Sequence, residues 1–441
     1  MKIGVLRRII LPGACAAAAM LMHTPSAIAQ SAGGYKPEYS LSFVSDERIV
    51  IGRTAKRWRE LVMEKTEGRV NIRMYPNASL IKGEQTREAT AMRQGVADMA
   101  VATASNWSGQ FRALSIFSLP FFIPNIDGTA ALIRGQVGKV IRDNMDKAGI
   151  VTLAWGSSGY RQLSNALRPV QAPADLKGMR VRVVGLPLFM DFFKALGAAP
   201  VQMNLNGVAD AFEKKTIDGQ DNPLSVFTGF KFNELGQKYL TLWDYPADPI
   251  FIAVNKNVWN NWSKADQQHV REAAEQAVQE TAPILTAQAA SDTVRKTAQE
   301  LTKAGVEVTT LTPEQKAAFK NAAMSVQQNW SERIGQDLID MAQADIKRGP
   351  NLPPASDPGA VPASAVPASP NPEPPAAEAA PANGNQTATG TAATSETPAA
   401  SETPAATDSP AAAETPAASG TPAASETQDA PGTQAAASVP Q

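Results

Sequence analysis

Two short segments place arginine where its chemistry could be used. In Gly178-Met-Arg-Val-Arg-Val-Val-Gly185, a strand of period two sends Met179, Val181 and Val183 to one face and Arg180 and Arg182 to the other. In Gly159-Tyr-Arg-Gln-Leu-Ser-Asn165, Arg161 falls in what reads as a polar loop. A guanidinium is a planar fork of donors that matches a carboxylate with two parallel hydrogen bonds, and the pair strengthens where water is excluded. Both segments are therefore candidates for gripping an anion, with a solvated strand face as the alternative for Arg180 and Arg182. Asp218 and Asp221, flanking Gly219-Gln220, are paired acids. They read as turn or capping acids before they read as an acid–base couple.

Other chemistries find little material. The chain of 441 residues has one cysteine and two histidines, and Cys15 and His23 fall in the first 29 residues, which read as an export signal. Without that segment only His269 remains, in the polar helical stretch Ser263-Lys-Ala-Asp-Gln-Gln-His269. Disulfides, thiol nucleophiles and Cys/His zinc sites are excluded, and His269 reads as a helix-surface residue rather than a triad base. No GxGxxG, Walker, HExxH, GxSxG or EF-hand pattern is present, so neither a cofactor nor a metal is implied.

Three regions differ in composition. Met1–Arg8 is basic, Ile9–Met22 is apolar and small, and Ala27-Ile28-Ala29 has the form that precedes a cleavage site. Residues 30–37 read as a linker. From Gly349 to Gln441 the chain has no aromatic residue and no base, holds 18 of the 33 prolines, and repeats Glu-Thr-Pro-Ala-Ala from Glu396, Glu402 and Glu414. Such a stretch has too little apolar surface to offset its ordering entropy and is expected to be disordered. Between them, residues 38–348 carry a small positive excess, far below that of a nucleic-acid binder.

Within 38–348, strand and helix signals alternate. Tyr39–Ser45 and Arg69–Tyr75 alternate at period two around a helical stretch at Glu47–Glu67. A short helix is expected at Gly83–Gly95, a strand at Asp98–Thr103, a helix at Asp127–Lys147 and a strand at Ile150–Trp155. Met179–Val184, Pro187–Leu196, Pro200–Gln202 and Val208–Lys215 begin a second set. Ser263–Lys303 is one long helical run, interrupted at Pro283. Ser263 with Asp266, and Thr312-Pro-Glu-Gln315, resemble capping boxes. This order implies βα units with a mainly parallel sheet.

Several ordered motifs then resemble one family. Asp175-Leu-Lys-Gly-Met-Arg-Val-Arg-Val183, Gly197-Ala-Ala-Pro-Val201, Asp218-Gly-Gln-Asp-Asn-Pro-Leu-Ser225, Lys238-Tyr-Leu-Thr-Leu242, Gly159–Asn165 and Leu119-Pro-Phe-Phe122 are similar to segments of the extracytoplasmic solute-binding proteins of tripartite ATP-independent periplasmic (TRAP) transporters. The resemblance covers nearly all of residues 38–340. It implies an α/β fold of two lobes, about 38–160 plus 249–275 and about 161–248 plus 276–348, joined by hinge strands and crossed by a long helix.

The resemblance also implies a site and partners. A small organic acid would lie between the lobes, Arg182 would grip its carboxylate, Arg161 would assist, and Asn222 would complete the clamp. Thr103, Asp46 and Tyr245 stand where a sialic-acid binder of the family has Glu, Asn and His, so sialic acid is disfavoured while the positions remain ligand candidates. Asn106-Trp107 and Trp243-Asp244-Tyr245 are further candidates for the lining, with core packing the safer view for Trp107. The expected partners are the organic acid and ion-gradient-driven membrane subunits, in the periplasm, with no nucleic acid and no cofactor. The alternative is an envelope interaction or ligand-sensing protein in which the acidic Pro-rich tail is the functional part; an enzyme would lack a histidine in reach.

Overall fold

Ten strands run through the computed structural model, which describes residues 34–245 and 247–351: β1 (Tyr39–Phe43), β2 (Ile72–Tyr75), β3 (Met99–Thr103), β4 (Ile150–Asn165), β5 (Arg180–Val183), β6 (Ala199–Gln202), β7 (Gly219–Pro223), β8 (Tyr239–Leu242), β9 (Ala247–Asn255) and β10 (Glu307–Thr310). The export signal with Cys15 and His23, and all but the first three residues of the Pro-rich tail, lie outside the described residues. The strands hydrogen-bond in the order β2-β1-β3-β9-β4-β7-β5-β6, with β8 also on β4 and β10 on β8. The flanks are parallel, as the alternation of signals predicts, but the seam is not. The β3/β9, β9/β4, β4/β7 and β4/β8 pairs are antiparallel, so the sheet is mixed.

One strand makes the two halves of the sheet continuous. β4 is 16 residues long, about 50 Å if extended. Its first part pairs with β9 as far as Tyr160, and its last five residues pair with β7. The register slips between Ser157 and Tyr160, where Gly159 adopts φ +85°, a conformation that disfavours any side chain. Gly156, just before the slip, lies against the break between the helices Lys264–Thr281 and Ala287–Lys303. A methyl group at Gly156 would meet the Ala282 carbonyl oxygen at 2.5 Å, and Ser157 N donates to that same oxygen at 3.0 Å. The helix interruption expected at Pro283 thus seats the chain on the bend of β4.

The core lies on both faces of this sheet. In β3, Met99 and Val101 join one apolar cluster while Ala100 and Ala102 join the other, and β9 divides Ile250, Ile252 and Val254 from Phe251 and Ala253 in the same way. Strands buried on both faces belong in the middle of a sheet covered by helices. The helix Val50–Lys65 buries Ile51, Ala55, Trp58, Leu61 and Val62, one stripe at helical spacing, against Val270, Ala273, Ala274 and Ala277 of Lys264–Thr281. Ala287–Lys303 packs both on β10 and on the helix Ile126–Arg134, touching the two halves. The single helix expected at Asp127–Lys147 is two, broken at Gly135. The Asp345 carboxylate occupies the space a side chain would need there and accepts the Val137 N–H at 3.0 Å, capping Gln136–Lys147.

Candidate functional site

β5 sets the first part of the site. Val181 and Val183 enter the core, as their alternation requires, and the two arginines face the opposite side. Their environments then diverge. Arg180, at the strand's start, is 43% exposed and its Nε donates to Asp218 Oδ2 at 3.0 Å. Arg182 lies between β6 and β7, beside Val201 and Gln220, and is 1% exposed. Its Nε donates to the Met203 carbonyl oxygen at 2.9 Å, but its Nη2 has no partner. Among the described residues, no carboxylate forms an ion pair with it. Burial, and the neighbouring Arg161 charge, push its pKa down to about 9, so it stays charged at neutral pH. A buried guanidinium with an idle donor is costly unless something anionic completes it.

Arg161 is the counter-example. The polar loop expected around it is the far end of β4, because the Gly159 kink lets the strand continue rather than end. Its guanidinium is 3% exposed, and each of its three nitrogens donates a hydrogen bond: Nε to Asp221 Oδ2 at 2.7 Å, Nη1 to Asp248 Oδ2 at 3.0 Å, and Nη2 to the Asp221 backbone carbonyl at 2.5 Å. The Phe189 ring lies 5.1 Å from its Cζ. Burial works against the Arg161 charge, yet the two aspartates outweigh it and hold the pKa above the ordinary value. Burial raises both aspartates, with Arg161 opposing.

The two arginines open on a cavity of about 40 Å³ between the halves of the sheet, also lined by Thr103, Ser105, Asn106, Ser158, Asn222 and Asp248. Asn222 donates to Gln220 Oε1 at 2.5 Å, and Thr103 Oγ1 accepts the Asn106 N–H at 3.2 Å. Two of the sequence candidates are not brought here. Asp46 is captured on the surface by Arg48, two residues on, which also lies over the Phe230 ring at 4.2 Å. Tyr245 is buried among Phe121, Phe192 and Trp243, its hydroxyl donating to the Ser118 carbonyl at 2.6 Å. Trp107 and Trp243 are core residues, and Asp244 pairs with Lys316 at 2.8 Å. His269 is half-buried on the helix Lys264–Thr281 and away from the cavity.

Gln85, Ser105, Ser158 and Asp248 were not legible in advance. Asp248 accepts Ser105 Oγ at 2.9 Å as well as Arg161. Gln85 donates to Asn106 Oδ1 at 2.9 Å and accepts the Leu205 N–H at 2.8 Å, fastening the first half of the sheet to the second across the cavity. No local pattern marks any of them. Each acquires its place through a partner 60 or more residues away, or through the bend of β4.

Three residues beyond Gln85, Glu88 is wholly buried with no cationic partner among the described residues. It accepts Ser42 Oγ at 2.7 Å and Trp107 Nε1 at 3.2 Å. Burial, which these hydrogen bonds only partly oppose, raises its pKa to about 7. The folded state then binds more protons than the unfolded one between the ordinary glutamate value and about 7, so stability falls as pH rises through that window. Glu88→Gln is expected to remove this dependence and to exceed the parent protein in stability at pH 8 by about 3 kcal/mol. Urea unfolding at pH 5 and pH 8 measures it; an unchanged pH slope in the variant would refute the assignment.

The family described as bacterial extracellular solute-binding protein, family 7 (DctP), matches residues 42–333. The 2,3-diketo-L-gulonate-binding periplasmic protein YiaO of Escherichia coli is 27% identical over 303 residues, 69% of this chain and 86% of that protein. A solved TRAP periplasmic solute-binding protein from Ralstonia eutropha, with bound (S)-2-acetolactate, is 42% identical, covers 71% of this chain and 100% of its own, and superposes with a TM-score of 0.66. Another, from Sulfurospirillum deleyianum with bound succinate, is 27% identical over 70% of this chain and 98% of its own, with a TM-score of 0.62.

Proposed function

The chain belongs to bacterial extracellular solute-binding protein family 7, and on that premise we propose that the idle edge of Arg182 receives the carboxylate of the transported acid. The protein is an extracytoplasmic binding component of a TRAP transporter: it takes up a small organic acid and delivers it to membrane subunits. Its family is one of binding proteins rather than enzymes. No helix among the described residues is long and apolar enough to cross a membrane.

The observation that carries the site is Arg182, buried, charged and missing a partner on Nη2. Closing water away from a carboxylate is unfavourable unless a fixed cation and neutral donors replace its hydration. Arg182 supplies the cation, and the Asn222 amide and the Thr103 and Ser158 hydroxyls supply neutral groups around it. Arg161 acts differently from the expected second grip: with two aspartates on it, it holds the wall in shape and adds little net positive field. The lobes, about 38–160 plus 249–275 and 161–248 plus 276–348, close by bending at the β4 kink, and Gln85 meeting Leu205 N fastens the closed form.

Titration calorimetry against small carboxylates tests the assignment through Arg180, the strand neighbour that points the same way but lies in solvent. Its ion pair with Asp218 is exposed and removed from the cavity, so Arg180→Ala is expected to keep affinity within about twofold. A loss in that variant as deep as one at Arg182 would shift the site to the wrong arginine.

A further inference from the structure

We propose that the cavity selects acids with a single carboxylate over dicarboxylates, and that Asp248 is the residue that sets this preference. The inference rests on the reading of Arg182 as the carboxylate's partner and goes beyond it by asking what charge the rest of the cavity will accept.

Four charged side chains are buried together here, and they cancel. Arg161 and Arg182 bring two positive charges; Asp221 and Asp248 bring two negative ones. Both aspartates are ion-paired with Arg161, through its Nε and Nη1. Between these two arginines, the buried guanidinium nitrogen without a hydrogen-bond partner among the described residues is Nη2 of Arg182, and the Arg182 charge is the one not paired with an acid. The first carboxylate of a ligand finds it. A second carboxylate finds no uncompensated cation, because the other cation of the lining, Arg161, already holds Asp221 and Asp248, and the remaining polar groups of the lining are neutral. Asp248 faces the cavity, whereas Asp221 lies behind Arg161 and is not part of the lining. A dicarboxylate would bury one unpaired anion beside a fixed one, and both desolvation and like-charge repulsion oppose that. The same groups suit an uncharged remainder: Gln85, Ser105, Asn106, Ser158 and Asn222 offer donors and acceptors to a hydroxyl, keto or amide group.

Specificity of this kind comes from a repulsive element, and it can be removed without changing shape. Asn in place of Asp248 keeps an acceptor for Ser105 and Arg161 while deleting one negative charge, and Asp221 still holds Arg161.

The test uses the full chain and probes matched in shape: C3 to C5 dicarboxylates and the monoamide of each, in which one carboxylate is replaced by a neutral isostere, together with unsubstituted and 2-hydroxy monocarboxylates of the same lengths. Affinities come from calorimetry. In the unaltered protein, monoamides and monocarboxylates are expected to bind at least about tenfold tighter than the diacids, a difference readily resolved by calorimetry. Asp248→Asn is expected to narrow the gap by about tenfold through tighter diacid binding. Diacids equal to or tighter than their monoamides in the unaltered protein would overturn the proposal, and so would an unchanged gap in the variant. If Asp248→Asn does not fold, the matched pairs on the unaltered protein decide alone. Silence from every probe would instead overturn the carboxylate reading of Arg182, and with it this preference.

Discussion

Replacing Arg182 with methionine is expected to abolish measurable acid binding while leaving the melting temperature of the ligand-free protein unchanged or higher. The two effects come from one fact. The Arg182 guanidinium is 1% exposed and, among the described residues, has a hydrogen bond to the Met203 carbonyl and no ion pair. Its pKa of about 9 lies below the arginine value of 12.5, and a depression of that size means that burying the charge costs roughly 3–5 kcal/mol at neutral pH. The sign follows from linkage: the folded state binds the proton more weakly than the unfolded chain, so the destabilisation is fully present below pH 9 and is relieved only above it. Methionine fills similar volume, carries no charge and removes that cost. With ligand the balance reverses, since the lost partner of a buried charge pair costs about 2–5 kcal/mol, or roughly 30- to several-thousand-fold in affinity. A thermal melt and a calorimetric titration on one preparation read both effects. A variant that still binds, or one that melts well below the parent protein, contradicts the role given to Arg182.

Arg161→Met is expected to do the opposite to stability. Here the guanidinium is ion-paired with two buried carboxylates, and taking it away leaves Asp221 and Asp248 beside each other with only the unpaired charge of Arg182 nearby. Breaking a buried pair from one side typically costs about 3–5 kcal/mol, a fall of roughly 5–10 °C in a domain of this size. The loss depends on pH in a defined direction. Burial already raises both aspartates, and without Arg161 they rise further; the folded state then binds more protons than the unfolded one. Stability therefore declines as pH rises from the unfolded aspartate value through the raised one, and the variant regains much of its deficit on acidification. Denaturant unfolding at pH 5 and pH 7.5 checks this. A variant as stable as its parent at pH 7.5 would mean that the two aspartates do not depend on Arg161.

The contrast between the two arginines shows what local sequence can and cannot say. The Met179, Val181, Val183 alternation fixes which way Arg182 points, because a strand has period two whatever it pairs with. It says nothing of Arg180, on the same face, lying in solvent; that depends on β6 and β7 flanking only the later part of β5. Pro283 and the Thr312 capping box were readable for the same local reason. Gly159–Asn165 reads locally as a polar loop around Arg161, and only pairing with β9 before the kink and β7 after it makes those residues part of one strand. Asp46 looked available until Arg48, its own near neighbour, closed on it. Tyr245 follows a recognisable strand but turns into an aromatic cluster supplied by residues 121 and 192. Asp248 and Gln85 carry no signature at all, since their roles exist only once distant strands meet.

A crystal structure with a bound monocarboxylate, for instance one that calorimetry ranks above its diacid counterpart, tests the central claim most directly. The expected result is a ligand carboxylate oxygen about 2.7–2.9 Å from Arg182 Nη2, with Arg161 still bound to Asp221 and Asp248. A ligand enclosed between the halves of the sheet with its carboxylate held elsewhere, and Arg182 Nη2 still without a partner, would contradict it.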